Sequence, residues 1–143
     1  MTIIFCTDNM PWSIFIRWFC WSNYHHCGLV KDNEVIHASF RHGIIKQNLY
    51  SFCSKYKKIK FCHVDNVNQE KAWNWALKQV GKNYDWKALF GLLLRKNFYD
   101  DNKYFCSELI ECAIYQGGVE LIRKEASRVT PQNLLDSPLV IPD

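Results

Sequence analysis

Apolar and polar residues alternate over much of the first half of the chain and switch to helical spacing in the second half. Thr2 to Cys6 reads as a short strand. Tyr24 to Lys31 and Glu34 to Phe40 are period-two segments on either side of Asp32-Asn33, which predicts a hairpin. Within it His26, Gly28 and Val30 share one face, with His25 on the other, and Val35, His37 and Ser39 share a face of the partner strand. Such a hairpin brings His26 near His37. Gly43 to Leu49 and Tyr56 to Val64 are further strands.

Helical spacing appears first between Trp12 and Trp21, after the turn Asp8-Asn9-Met10-Pro11. Trp12, Phe15, Ile16 and Phe19 fall on one face, predicting a core-packing helix or, if exposed, a lid or a membrane-surface contact. A second helix begins at Asn66 as cap, with Gln69 three residues on. It buries Trp73, Ala76, Leu77 and Val80 and stops at Gly81. Asp85 caps a third, Trp86 to Leu94, followed by a polar loop over 95–102. A fourth runs from Cys106 to Gln116 and ends at Gly117-Gly118, with Asp101 or Asn102 as cap. Val119 to Ile122 reads as a short strand, and Thr130-Pro131 opens a last helix. Strands precede helices, which predicts an α+β fold with an antiparallel sheet.

At 143 residues the chain is expected to form one domain over 1–143. A formal net charge of +4 does not by itself call for an anionic partner. The basic run Lys55, Lys57, Lys58 and Lys60 alternates as a solvated strand face, and no groove-entering motif accompanies it. Nucleic acid is therefore not expected as a partner. The longest apolar run, Ala88 to Leu94, is too short for a membrane span. Seven irregularly spaced cysteines and no signal-peptide pattern point to a reducing, cytoplasmic setting rather than a disulfide framework.

Chemistry concentrates at Lys103-Tyr104-Phe105-Cys106-Ser107-Glu108-Leu109-Ile110. Cys106 lies on the buried stripe with Leu109, Ile110 and Ala113, in the first turn of its helix. The helix dipole there favours thiolate, the nucleophilic form. The plain alternative is a buried structural cysteine. A nucleophilic cysteine also needs a base and a group orienting that base, and His26 and His37 can supply both. A zinc module built from Cys20, His25 or His26, Cys27, Cys62 and His63 competes, but the spacing lacks a Cys-x-x-Cys pair.

Several stretches resemble the circularly permuted NlpC-type, papain-fold cysteine hydrolases, the YiiX/YaeF-like proteins, with the lecithin:retinol acyltransferase group as a distant branch. These are His25-His26-Cys27-Gly28-Leu29-Val30, Val35-Ile36-His37-Ala38, Gly81-Lys82-Asn83-Tyr84-Asp85-Trp86, Phe105-Cys106-Ser107-Glu108-Leu109-Ile110 and Thr130-Pro131 with its Leu pair. The histidine strands precede the cysteine, as in the permuted branch. The resemblance implies a permuted papain-like fold with Cys106 as nucleophile, His26 as base and His37 as orienting residue, Glu34 being an alternative third member. Tyr84 and Tyr104 are implied at the oxyanion or substrate site. The implied reaction is acyl transfer from a peptide or acyl substrate, an amide or ester, with no metal or cofactor. An inactive papain-fold protein binding peptide or lipid is the other reading. Cys27 stands where the family commonly has an aliphatic residue.

Overall fold

In a computed structural model, residues 1–85, 104–123 and 129–143 are described, apart from the side chains of Phe19 and Cys20. The elements are β1 (Thr2–Thr7), α1 (Pro11–Cys20), β2 (His26–Lys31), β3 (Glu34–Ser39), β4 (Gly43–Asn48), α2 (Leu49–Cys53), β5 (Lys58–His63), α3 (Gln69–Gln79), α4 (Cys106–Gln116), α5 (Pro131–Leu135) and β6 (Ile141–Pro142). The expected helix over 86–94 lies outside the described residues.

The strands form one six-stranded antiparallel sheet, ordered β4-β3-β2-β1-β5-β6. The fold is α+β with an antiparallel sheet, as anticipated. The β2–β3 hairpin turns at Asp32, whose φ of 52° is the left-handed conformation that Asp tolerates. Gly28 lets the two strands close: a Cβ there would meet Val35 Cγ2 at 2.6 Å and His37 Cβ at 3.4 Å.

Alternation gives the sheet two apolar faces. Ile3, Phe5, Cys27, Leu29, Ile36 and Ala38 join Leu109, Ile110, Ala113 and Ile114 of α4 in the main core. Ile4, Cys6, Val30 and Val35 pack on the other side around Phe52 of α2. Helix α4 therefore lies against the sheet by its apolar stripe, which sets where its first residue, Cys106, emerges.

The structure corrects several expectations. The cap of α3 is Asn68, whose side chain accepts from Lys71 N–H at 3.0 Å, while Asn66 sits at φ 58° in the preceding turn. The N-cap of α4 is Phe105 rather than Asp101 or Asn102, which lie outside the described residues; the Glu108 carboxylate accepts the Phe105 N–H at 3.4 Å. No strand forms over 119–122. The Ile122 N–H goes to the Glu111 side chain, and the Leu121 carbonyl accepts from the Ser137 hydroxyl, so these groups are satisfied without a ladder. Helix α2 was not foreseen, although Asn48 caps it by accepting from Tyr50 and Ser51 N–H. The two-residue β6, with its proline at the sheet edge, was also not foreseen.

Helix α1 shows its faces differently from the predicted stripe. Ser13 and Ile16 point inward, whereas Trp12, Ile14, Phe15 and Trp18 are exposed, Trp18 by 74%. The core does not require the aromatic face; Ser13 is turned in because its hydroxyl meets the His25 ring at 3.3 Å.

Candidate active site

Cys106 is the first residue of α4 and is 5% exposed. Its sulfur interacts with the Cys27 thiol and backbone and with the His26 ring. The Cys27 hydrogen bond, followed by the His26 hydrogen bond and charge, holds the Cys106 thiol well below the usual thiol range against the opposing effect of burial. The unpaired amides at the N-terminus of this three-turn helix act in the same direction.

His26 opens β2. By alternation it lies on the other side of the strand from Cys27, yet, at the first position of that strand, it still acts on Cys106. The ring is held on several sides. Its Nε2 is 2.9 Å from His37 Nδ1. The Tyr56 ring stacks beside it at 6.0 Å and 27°, and Phe52 lies 5.9 Å away. Its own carbonyl is 3.7 Å from the Cys6 sulfur.

His37 is buried on β3, with Phe52 edge-on at 4.8 Å. Burial, with smaller contributions from the charges of His26 and Lys55, pushes its pKa down to about 2, so its ring is neutral. Its Nε2 is buried without a hydrogen-bond partner. Glu34, the alternative third member, lies three residues along β3 at the hairpin end, where its carboxylate pairs with Lys46 at 2.6 Å; it does not orient His26.

His25 is not on the opposite face, as strand alternation suggested. It precedes β2, so the alternation does not extend to it, and its ring stacks against His26 at 6.2 Å and 28°. Its nitrogens are taken by Thr7 Oγ1 at 3.1 Å and Ser13 Oγ at 3.3 Å, and burial lowers its pKa to about 4. Tyr84 is buried with its ring 4.8 Å from Phe40, and its backbone bridges Tyr104, two residues before Cys106. Tyr104 packs edge-on against Trp75 at 5.7 Å.

A cavity of about 260 Å³ opens at the two imidazoles; Asp8, Trp12, Ser39, Phe40, Arg41 and Tyr56 complete its wall together with His25. Of these, Trp12, His25 and Ser39 were assigned to an element face from the sequence. Tyr56 follows α2, and nothing in the local pattern signals that it turns back onto His26.

The zinc set is dispersed. Cys62 is buried on β5, two strands from Cys27 and two residues further along, about 12 Å by ordinary sheet spacings. His63 is bound to Asp143 at that far end. Among the described residues no group of three or more His, Cys, Asp or Glu side chains is arranged to hold a metal ion.

A helix-start cysteine beside a strand imidazole, with the histidine early in the chain and the cysteine late, defines a permuted papain-like cysteine hydrolase. The chain belongs to the family described as permuted papain-like amidase enzymes, YaeF/YiiX, C92, which matches residues 2–140. It shares its fold with the crystal structure of metalloprotein yiiX from Escherichia coli O157:H7, at a TM-score of 0.77 and 19% identity over 99% of this chain and 94% of that one. The search of curated proteins found no match.

Proposed function

We propose that the protein hydrolyses an amide bond through Cys106 as nucleophile, His26 as general acid and base, and His37 as the residue that orients His26. The observation that carries this reading is the buried His26 ring, fixed 2.9 Å from His37 Nδ1 and lowering the Cys106 thiol's pKa by its charge and hydrogen bonding. The thiolate attacks the carbonyl carbon, and the oxyanion forms against the Cys106 backbone N–H, aided by the positive end of α4. His26 passes its proton to the departing nitrogen, leaving a thioester on Cys106. His26 then takes a proton from water, or from another acceptor, which attacks the thioester and releases the acid.

The substrate carries an apolar group next to the amide. Trp12 lines the cavity, and the exposed side chains of Ile14, Phe15 and Trp18 extend from it along α1. A reducing compartment suits the mechanism, since it keeps the thiol free. The Escherichia coli structure is of a metalloprotein; here the described side chains do not form a metal site, and no step is routed through one.

The test assays fatty-acyl amides, fatty-acyl esters and short peptide amides side by side. Cys106→Ala should reduce hydrolysis to background, and His26→Ala should lower it about 10²–10⁴-fold. Phe15→Ser should impair fatty-acyl substrates and spare peptide amides. Full activity in Cys106→Ala would reject the nucleophile. Turnover of peptide amides alone, unchanged by Phe15→Ser, would reject the apolar substrate.

A further inference from the structure

Helix α1 carries its polarity in reverse. Its inward face holds Ser13 and Ile16, while Met10 at the N-cap, Ile14, Trp18 and Trp21 form an outer stripe spaced i, i+4, i+8 and i+11. Trp21 is 89% exposed and ends the helix at φ 49°, a left-handed conformation that glycine adopts without strain and a bulky residue does not. Between Asp8 and Asp32 the chain has no acidic residue, so the helix carries no negative charge of its own. Indoles facing water cost solvation free energy until something apolar covers them.

Cations border the stripe. The Lys57 N–H donates to the Thr7 carbonyl at 3.1 Å, just before α1, and Lys58 Nζ lies 5.2 Å from the centre of the Tyr24 ring, just after it. Arg41 follows Phe40, whose ring is 4.0 Å from that of Trp12. All three cations are exposed, and among the described residues none of them forms an ion pair. Asp8, the nearby acid, accepts the Met10 N–H at 2.9 Å. A second copy of the chain on this face would set like charges against each other. Indoles flanked by Lys and Arg suit a membrane–water interface, where the ring sits at headgroup level and the cations meet anionic lipid.

We propose that the outer face of α1 docks on an anionic lipid bilayer, with Trp18 and Trp21 among the headgroups and Lys57, Lys58 and Arg41 against lipid phosphates. No helix among the described residues is long and apolar enough to cross a membrane, so the contact is with one leaflet. Trp12 continues from this helix into the cavity wall. Docking therefore brings the cavity mouth to the lipid surface, and an acyl chain reaches it without crossing water. That last consequence rests on the proposed hydrolysis; the docking does not.

The experiment measures co-sedimentation with vesicles of phosphatidylcholine alone and of phosphatidylcholine and phosphatidylglycerol in equal parts. Binding should be stronger on the anionic vesicles and should weaken as salt is raised. Combining Trp18→Ser with Trp21→Ser should lower it at least about tenfold. Combining Lys57→Gln with Lys58→Gln should lower it roughly tenfold or more on the anionic vesicles. All four positions are exposed, and an unchanged thermal midpoint shows that each variant is folded. Absence of sedimentation with either vesicle would overturn the proposal, as would undiminished binding by the tryptophan variant. Dimers that form without lipid and dissociate in the tryptophan variant would overturn it too, by making the face an interface between copies. Cys106→Ala should bind as the unmodified protein does, so loss of the hydrolytic reading and loss of docking give different results.

Discussion

His37 sets the limits of this site at the scale of single residues. A carboxylate in its place would stabilise a charged His26 by its own charge; a neutral imidazole offers only one lone pair. When His26 is protonated, its Nε2–H donates to His37 Nδ1, and the remaining His37 proton must sit on Nε2, which is buried and unpaired. An unpaired buried donor is costly, so the site spends some stability to keep this arrangement. His37→Asn, which retains an acceptor, should therefore keep more activity than His37→Phe, which retains none. The phenylalanine variant should lose about 10²-fold or more in kcat/KM while raising thermal stability. Equal activity in the two variants would show that His37 only fills space. The sequence revealed His26 and His37 because the hairpin pattern sets their register. It misplaced His25, since alternation says nothing of a residue just outside a strand.

At the scale of elements, the β2–β3 hairpin and helix α4 were readable because each repeats its pattern over several residues. Elements with short patterns were not: α2 is five residues long, β6 is two, and over 119–122 the backbone of Leu121 and Ile122 is bonded to side chains instead of a strand. The inward face of α1 was misjudged because a polar contact, Ser13 to His25, outranks the aromatic stripe in deciding its rotation. Two glycines are predicted to matter for different reasons. Gly28→Ala should force β2 and β3 apart at Val35 and lengthen the His26–His37 bond, lowering activity more than stability. Gly43, at φ 69°, faces the Lys82 carbonyl, which an added Cβ would approach to 2.1 Å. Gly43→Ala should cost at least about 1–2 kcal/mol in denaturant unfolding, and an unchanged midpoint would show that the β4 edge can shift freely.

For the whole molecule, buried ionisable groups link stability to pH in opposite senses. Burial lowers His37 to about 2 and His25 to about 4, against 6.5 for free histidine. The unfolded chain therefore binds more protons than the fold below pH 6.5, and this contribution to stability is lost as pH falls. Burial raises Glu108 from 4.5 to about 8, with Asp85 adding to the shift. The fold then holds a proton that the unfolded chain has released, and this contribution is lost as pH rises from 4.5 to 8. Thermal melts should show Glu108→Gln gaining on the unmodified protein as pH rises through that interval. His37→Asn should gain on it as pH falls below 6.5. Parallel curves for either pair would mean that the group is solvated. None of this was legible in the sequence, because it depends on how deeply each side chain is buried.

The strand β5 lies between the two ends of the described chain. The Met1 amino group bonds the Val64 carbonyl at 2.8 Å, Thr2 pairs with His63 on one side, and Ile141 pairs with the same His63 on the other. Residues 1 and 143 are thus about 14 Å apart, two strand spacings across and three residues along. A linker of a few glycines and serines would bridge them, and the turn over 65–68 offers a place to cut. The rejoined chain would run from residue 69 to 143 and then from 1 to 64, with the cysteine ahead of the histidine. Every strand pair and the Cys106–His26–His37 chain would survive the rearrangement. Such a chain should refold and label at Cys106 as the original does, which would mean that gene order and active-site geometry are separable here.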